Sequence, residues 1–353
     1  MLVNQQALVS SFVGQLQSQM QRQRRDPGAT LCANQRDDLP TDFRTSLLLL
    51  LGFRSCHSIQ HTLMTALEGF ALPYGDITVG ERMKALEKDS RYHFADGDKG
   101  RAEILAFIQN RLDWVRAQLP RAFDTLVSPN MEVRRLPPEE EPGAPTAYGG
   151  PGSIDGKIPG RFWINLRTPG LHSKYSLADL TFHESIPGHI WQGEYTHKMP
   201  LIRQMLAFNA YSEGWALYAQ QLADELGAYD NDPVGRLGYL QAIAFRACRL
   251  VVDTGIHAKR WTREEGVRFF VDINGSNPVE VASEVDRYCS WPGQACGYKV
   301  GHSEINRQRE RATTALGSKY DLKAFDDTVV LGGNVPLDVL AANVDEYIRA
   351  AKG

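Results

Sequence analysis

The sequence predicts a mainly α protein with a small strand element near its middle, placed just before the segment that carries most of the chemistry. Three observations lead there. Apolar residues recur at three-to-four spacing along most of the 353 residues, the period of a helix with one buried face. One stretch, residues 137–161, breaks that period with six prolines and six glycines, which marks a long loop. Short β-like pieces flank the break, "MEVRRL" at 131–136 and "RFWINL" at 161–166.

Taken in order, Val9, Val13, Leu16 and Met20 predict an amphipathic helix over 3–24, and an apolar helical stretch follows from about Phe43 to Phe70. "TVGERMKALEKDSRY" and "GRAEILAFIQNRLDWVRAQLPRAFDTL" predict two more helices. Thr78, three residues before Glu81, has the spacing of a capping box at the start of the first. Beyond residue 175 the chain reads as helix after helix to its end. This divides it into an N-terminal helical region, 1–76, and a larger unit, 77–353; the two also read as one continuous domain.

Bulk composition excludes several classes. With 42% hydrophobic and 23% charged residues the chain is an ordinary globular protein. A formal net charge of −3, from 39 basic and 42 acidic residues, points to neither a nucleic acid nor a membrane surface as partner. Five cysteines, an odd number with no Cys-x-x-Cys pair, argue against a disulfide framework and for a reducing cytoplasm. The first 25 residues lack a signal-peptide pattern, and the longest apolar run, "LLLLLGF" at 47–53, is far too short to span a bilayer.

The segment "TFHESIPGHIWQ", 181–192, carries two histidines and a glutamate. It is close to the His-Glu-x-x-His zinc motif, in which two imidazoles lie one helical turn apart. Here the second histidine is displaced. In a regular helix His189 would lie about 240° around and about 9 Å along from His183, so the two rings could not meet at one ion. Pro187 cannot donate to the carbonyl of His183 and pushes against that turn. Gly188 tolerates the dihedrals of a widened or broken turn. Such a break can bring His189 back beside His183.

A catalytic zinc site needs a third protein ligand and an open position. The candidate is Glu213, in the predicted apolar helix "MLAFNAYSEGWALYAQQLADELG", with Leu206, Ala210, Ala216 and Leu217 on its own face. A carboxylate among such neighbours is costly unless paired or bound to a cation. His183, His189 and Glu213 then make a His₂Glu set for one Zn²⁺; iron or manganese also suits two nitrogens and a carboxylate. Glu184, beside the first ligand, is the candidate general base. His172 and His197 are spare ligands.

Two further clusters stand downstream. Arg246, Arg249, Asp253 and His257 recur at spacings that place them on one helix face. This is either a solvated stripe or a polar wall of the site, with an arginine or His257 binding a substrate carboxylate or a developing oxyanion. In "EVDRYCSWPGQACGYKVG", Tyr288, Gln294, Tyr298 and Lys299 bracket a second Pro-Gly pair. The tyrosines are candidate oxyanion donors, or apolar core edges.

The order of "HESIPGH", "SEGWALYAQQLADELGAY", "FRACRLVVDTGIH", "EVDRYCSWPGQACGYKVG" and "GGNVPLDVL" resembles the bacterial domain-of-unknown-function 885 family, whose members resemble gluzincin-type zinc metallopeptidases. The likeness runs from about Thr78 to the C-terminus. It implies a zincin-like (gluzincin) helical fold for 77–353, with His183, His189 and Glu213 as zinc ligands and Glu184 as base. It also implies substrate or transition-state contacts from His257, Tyr298 and their neighbours, Tyr288 and the polar residues Arg246, Arg249, Gln294 and Lys299 among them. Ile190 stands where family members often carry another histidine, and the family is generally longer at the N-terminus.

The expectation is a cytoplasmic zinc hydrolase that cuts an amide bond in a small molecule or short peptide. The rival readings are a metal-dependent hydrolase, lyase or cyclase that tailors one small metabolite, and a non-catalytic binding protein with or without metal.

Overall fold

The computed structural model describes Gly52 and residues 79–353. The helices expected over 3–24 and from Phe43 to Phe70, the cap at Thr78, and the 1–76 region lie outside the described residues, Gly52 apart.

Helix α1 (Val79–Glu87) is followed by α2 (Gly97–Gln118), which buries Ile104, Ile108, Leu112 and Val115 at spacings of four, four and three. Strands β1 (Met131–Arg135), β2 (Ala147–Gly150) and β3 (Gly160–Ile164) come next. They form one sheet in the order β1-β3-β2, with β1 parallel and β2 antiparallel to β3. In the central strand Gly160, Phe162 and Ile164 are buried, the period-two pattern of a strand with one face on a core. Strand β2 lies inside the stretch expected to be a structureless loop. Of its residues, Ala-Tyr-Gly-Gly, only Tyr148 favours a strand, and pairing with β3 creates it.

The remainder is helical: α3 (Lys174–Glu184), α4 (His189–Thr196), α5 (Leu201–Met205), α6 (Asn209–Glu225), α7 (Pro233–Lys259), α8 (Arg263–Asn274), α9 (Pro278–Ser290), α10 (Cys296–Leu316), α11 (Leu322–Leu331) and α12 (Leu337–Lys352). Local chemistry sets several starts. The side chains of Ser173, Asp232 and Asn277 accept backbone N–H bonds at α3, α7 and α9, and Thr262 with Glu265 forms a capping box at α8. The expected helix over 205–227 begins only at Asn209. Leu206 has extended backbone and is exposed, so it is not on the face of Glu213.

The closest helix pair is α6 with α10. A Cβ at Gly301 would stand 1.6 Å from the carbonyl oxygen of Ala210, and one at Gly214 would stand 2.5 Å from Gly301 Cα. Two glycines thus let the backbones touch, and the crossing sets Glu213 beside the first turn of α10. The larger core holds Phe123, Phe182, Trp191, Trp215 and Tyr218. A smaller cluster, with Cys248, Val252, Phe270, Val285 and Tyr288, joins α7, α8 and α9. Among the described residues no helix is long and apolar enough to cross a membrane.

Candidate metal centre

The widened or broken turn expected at Pro187 and Gly188 is a full break, and it begins at Ser185. Helix α3 ends at Glu184, Ser185 leaves the helical region (φ −116°, ψ −96°), the Ile186–Pro187 bond is cis, and α4 starts at His189. The ladder is replaced by specific bonds. Trp191 N–H donates to the carbonyl of Ser185 at 3.1 Å, and the Trp215 indole N–H donates to the carbonyl of Pro187 at 2.9 Å. Helix α6 therefore pins the turn whose histidines it must meet. At Gly188 a Cβ would fall 1.8 Å from the His183 carbonyl oxygen, so no other residue fits there.

This break brings the two rings together, with centroids 4.9 Å apart and planes near perpendicular. Glu213 Oε2 lies 3.5 Å from His183 Nε2 and 3.3 Å from His189 Nε2. One donor atom from each residue falls within 4.8 Å of the other two. It is the one such group among the described residues. A tetrahedral ion with bonds of about 2.0–2.1 Å sets its ligand atoms about 3.3–3.4 Å apart, close to both nitrogen–oxygen distances. Glu213 Oε2 is buried, and the two imidazole nitrogens that face it do not meet it in hydrogen-bond geometry; an ion between the three would satisfy it. The residues present fit a divalent metal.

Electrostatics point the same way. Burial raises the Glu213 pKa, but the two imidazoles more than offset it and hold the carboxyl well below its ordinary range. Burial likewise lowers His189, and the Glu213 charge overrides this to push it up to about 9. Without a metal, the Glu213 carboxylate and the His189 imidazolium thus stabilise one another.

Supporting contacts fix the first ligand. His183 Nδ1 lies 2.8 Å from Gln220 Oε1. With the Nδ1–H donating there, the Nε2 lone pair faces Glu213. Asp179, one turn before His183, is buried as well; burial pushes its pKa up to about 7 against the pull of Arg246. Glu184 Oε2 accepts the N–H of Gly149 in β2 at 2.8 Å, so the sheet holds the candidate base at the edge of the site.

Of the other expected residues, Tyr298 alone joins the cluster. Its ring stacks on His183, 6.2 Å between centroids with planes 10° apart. His257 is exposed and its Nε2 lies 2.9 Å from the Tyr288 carbonyl oxygen. The Tyr288 hydroxyl is buried between Arg249 and Glu284. Gln294 bridges Asn209 and Arg287, and Lys299 meets His302 at 2.9 Å. Within the α7 stripe, Arg249, Asp253 and His257 bond to α9 and to Gly293 in the turn after it. The spare histidines lie elsewhere, His172 against the Asn165 carbonyl and His197 near Glu194.

Sequence reasoning passed over Gln220, Asp179 and Gly149. The first two had a signal. Gln220 is two turns after Glu213 and Asp179 one turn before His183, each a polar residue on the ligand's own face of an apolar helix. Gly149 had none, since its role is a backbone N–H.

The profile of the family described as "Bacterial protein of unknown function (DUF885)" matches residues 11–344. No curated protein is similar to the chain. Among solved structures, a protein from Colwellia psychrerythraea, provisionally called a lipoprotein, is 41% identical, with a TM-score of 0.84 over 87% of this chain and 52% of its own. A protein from Shewanella oneidensis, provisionally called a lipoprotein of unknown function, shares the fold at 22% identity, with a TM-score of 0.70 over 84% of this chain and 56% of its own. The chain spans about half the length of each. It belongs to the DUF885 family.

Proposed function

We propose that this DUF885-family chain is a metal-dependent hydrolase of zincin (gluzincin) type that cuts an amide bond, with His183, His189 and Glu213 holding one zinc ion and Glu184 as general base. The observation that carries the reading is the convergence of two imidazole nitrogens and one orphaned carboxylate oxygen at spacings a tetrahedral ion requires. When bound, such an ion supplies Lewis acidity to water and to the amide carbonyl.

The chain's own residues divide the remaining work. Gly149 N–H holds one oxygen of Glu184 and leaves the other to take a proton from the attacking water, which it later hands to the departing amine. The Tyr298 hydroxyl, on the ring that stacks against His183, donates to the oxyanion as it forms. Gln220 keeps His183 in the tautomer that presents Nε2.

We assign the chemistry to the cytoplasm on cysteine usage; the relative from Colwellia psychrerythraea is provisionally called a lipoprotein, and cell fractionation tests the assignment. The function is tested by metal analysis and hydrolysis assay of the zinc-loaded chain and of Glu184→Gln. The expected result is one equivalent of zinc in both and turnover lost in the variant. Hydrolysis that persists in Glu184→Gln overturns the base assignment. A chain that takes up no zinc overturns the whole reading and leaves the non-catalytic one.

A further inference from the structure

Beside the metal centre lies a cluster of positive charge that the reaction above does not use. Arg249 of α7 is 7% exposed. Its Nε donates to the Tyr288 hydroxyl at 3.2 Å and one terminal nitrogen donates to Glu284 at 2.8 Å. The other terminal nitrogen is buried and has no acceptor. One turn earlier, Arg246 has a buried Nε that also lacks an acceptor. Buried guanidinium N–H groups without partners are costly, and an arginine fork matches the two oxygens of a carboxylate.

Arg246, Arg249 and Arg287 surround Glu284, which already bonds to Arg249, Arg287 and Tyr288, while Arg246 also faces the charge of the buried Asp179 carboxyl. The cluster adjoins the triad through one ring. The Arg249 guanidinium carbon lies 4.3 Å from the centre of the Tyr298 ring, and that ring stacks on His183.

We infer that Arg249 and Arg246 form a carboxylate subsite next to the metal centre, so that the substrate is an amide carrying a free carboxylate close to the bond that is cut, as in an acylated amino acid or the C-terminal end of a short peptide. This rests on the hydrolase reading for its chemistry, and on the two orphaned guanidinium nitrogens for the ligand class.

The experiment compares N-benzoylglycyl-phenylalanine with its C-terminal amide on the zinc-loaded chain. The free acid is expected to be cut with a kcat/KM at least tenfold higher. In Arg246→Gln and Arg249→Gln that ratio should fall below about threefold through a rise in KM, with zinc content unchanged. Equal rates on acid and amide in the native chain overturn the inference, as does a ratio that both variants retain. Arg249→Gln removes a buried ion pair and can fail to fold, in which case Arg246→Gln carries the test. A second arm uses the chelator-treated chain and titrates N-acetyl-phenylalanine against N-acetyl-phenylalaninamide by calorimetry. The acid should bind, the amide should not, and Arg246→Gln should abolish the difference; no difference in the native chain sinks the subsite. If neither peptide is hydrolysed, the hydrolase reading fails and this metal-free arm still decides the carboxylate subsite.

Discussion

Glu213→Gln removes one charge and leaves the side-chain shape almost unchanged. The structure sets the size of the effect. The Glu213 carboxylate stands 3.3 Å from His189 Nε2 and holds that imidazole at about 9, against an ordinary 6.5, although burial alone would lower it. At 1.36 kcal/mol per pH unit the difference is about 3 kcal/mol. In metal-free Glu213→Gln the His189 pKa should therefore drop to about 6.5 or below. Because the native value is raised on folding, the stability this pair contributes is complete below about pH 6.5 and is lost as pH rises through about 9. The variant should lose that dependence. The same charge also serves a divalent ion, so zinc affinity should fall by about a hundredfold or more, on the order of 3 kcal/mol. Imidazole NMR follows the titration, urea unfolding at pH 6 and pH 9.5 follows the stability, and competitive chelator titration follows the metal. An unchanged His189 titration would refute the electrostatic account. Unchanged zinc affinity would show that Glu213 is not a ligand.

Two further expectations follow from the turn and its support. Gly188→Ala should destabilise the fold by about 3 kcal/mol and abolish zinc binding, because a Cβ there meets the His183 carbonyl at 1.8 Å; native stability in urea together with stoichiometric zinc would contradict this. Gln220→Leu should weaken zinc binding by about 10- to 100-fold, since His183 Nδ1–H loses its acceptor, and Gln220→Glu should restore it. Equal chelator titrations for the native chain and Gln220→Leu would remove Gln220 from the account.

The site and the fold were legible to different degrees, for reasons visible in particular residues. The period of Ile104, Ile108, Leu112 and Val115 marks α2 without any structure. A strand such as β2, Ala-Tyr-Gly-Gly, has a single β-favouring side chain among glycines and exists through its partner. The α7 stripe had the right spacing but an ambiguous destination: helix periodicity says which residues share a face and not which neighbour that face meets.

By itself, the sequence determined that the protein is mainly helical, that a strand element precedes the His-Glu segment, and that a helix carrying His183 must break before His189 if the two are to act together. Each of these follows from local geometry: the helical period, the missing proline N–H and the freedom of glycine. Only the tertiary structure decided that Glu213 meets both rings, that Gln220 holds one of them, and that Tyr298 joins the cluster while Tyr288 and His257 bond elsewhere. Those outcomes depend on how α3, α4, α6 and α10 cross, and that crossing is set by the backbone contact at Gly214 and Gly301 together with the packing of the aromatic core. They are contacts between residues far apart in the chain, which no local spacing encodes.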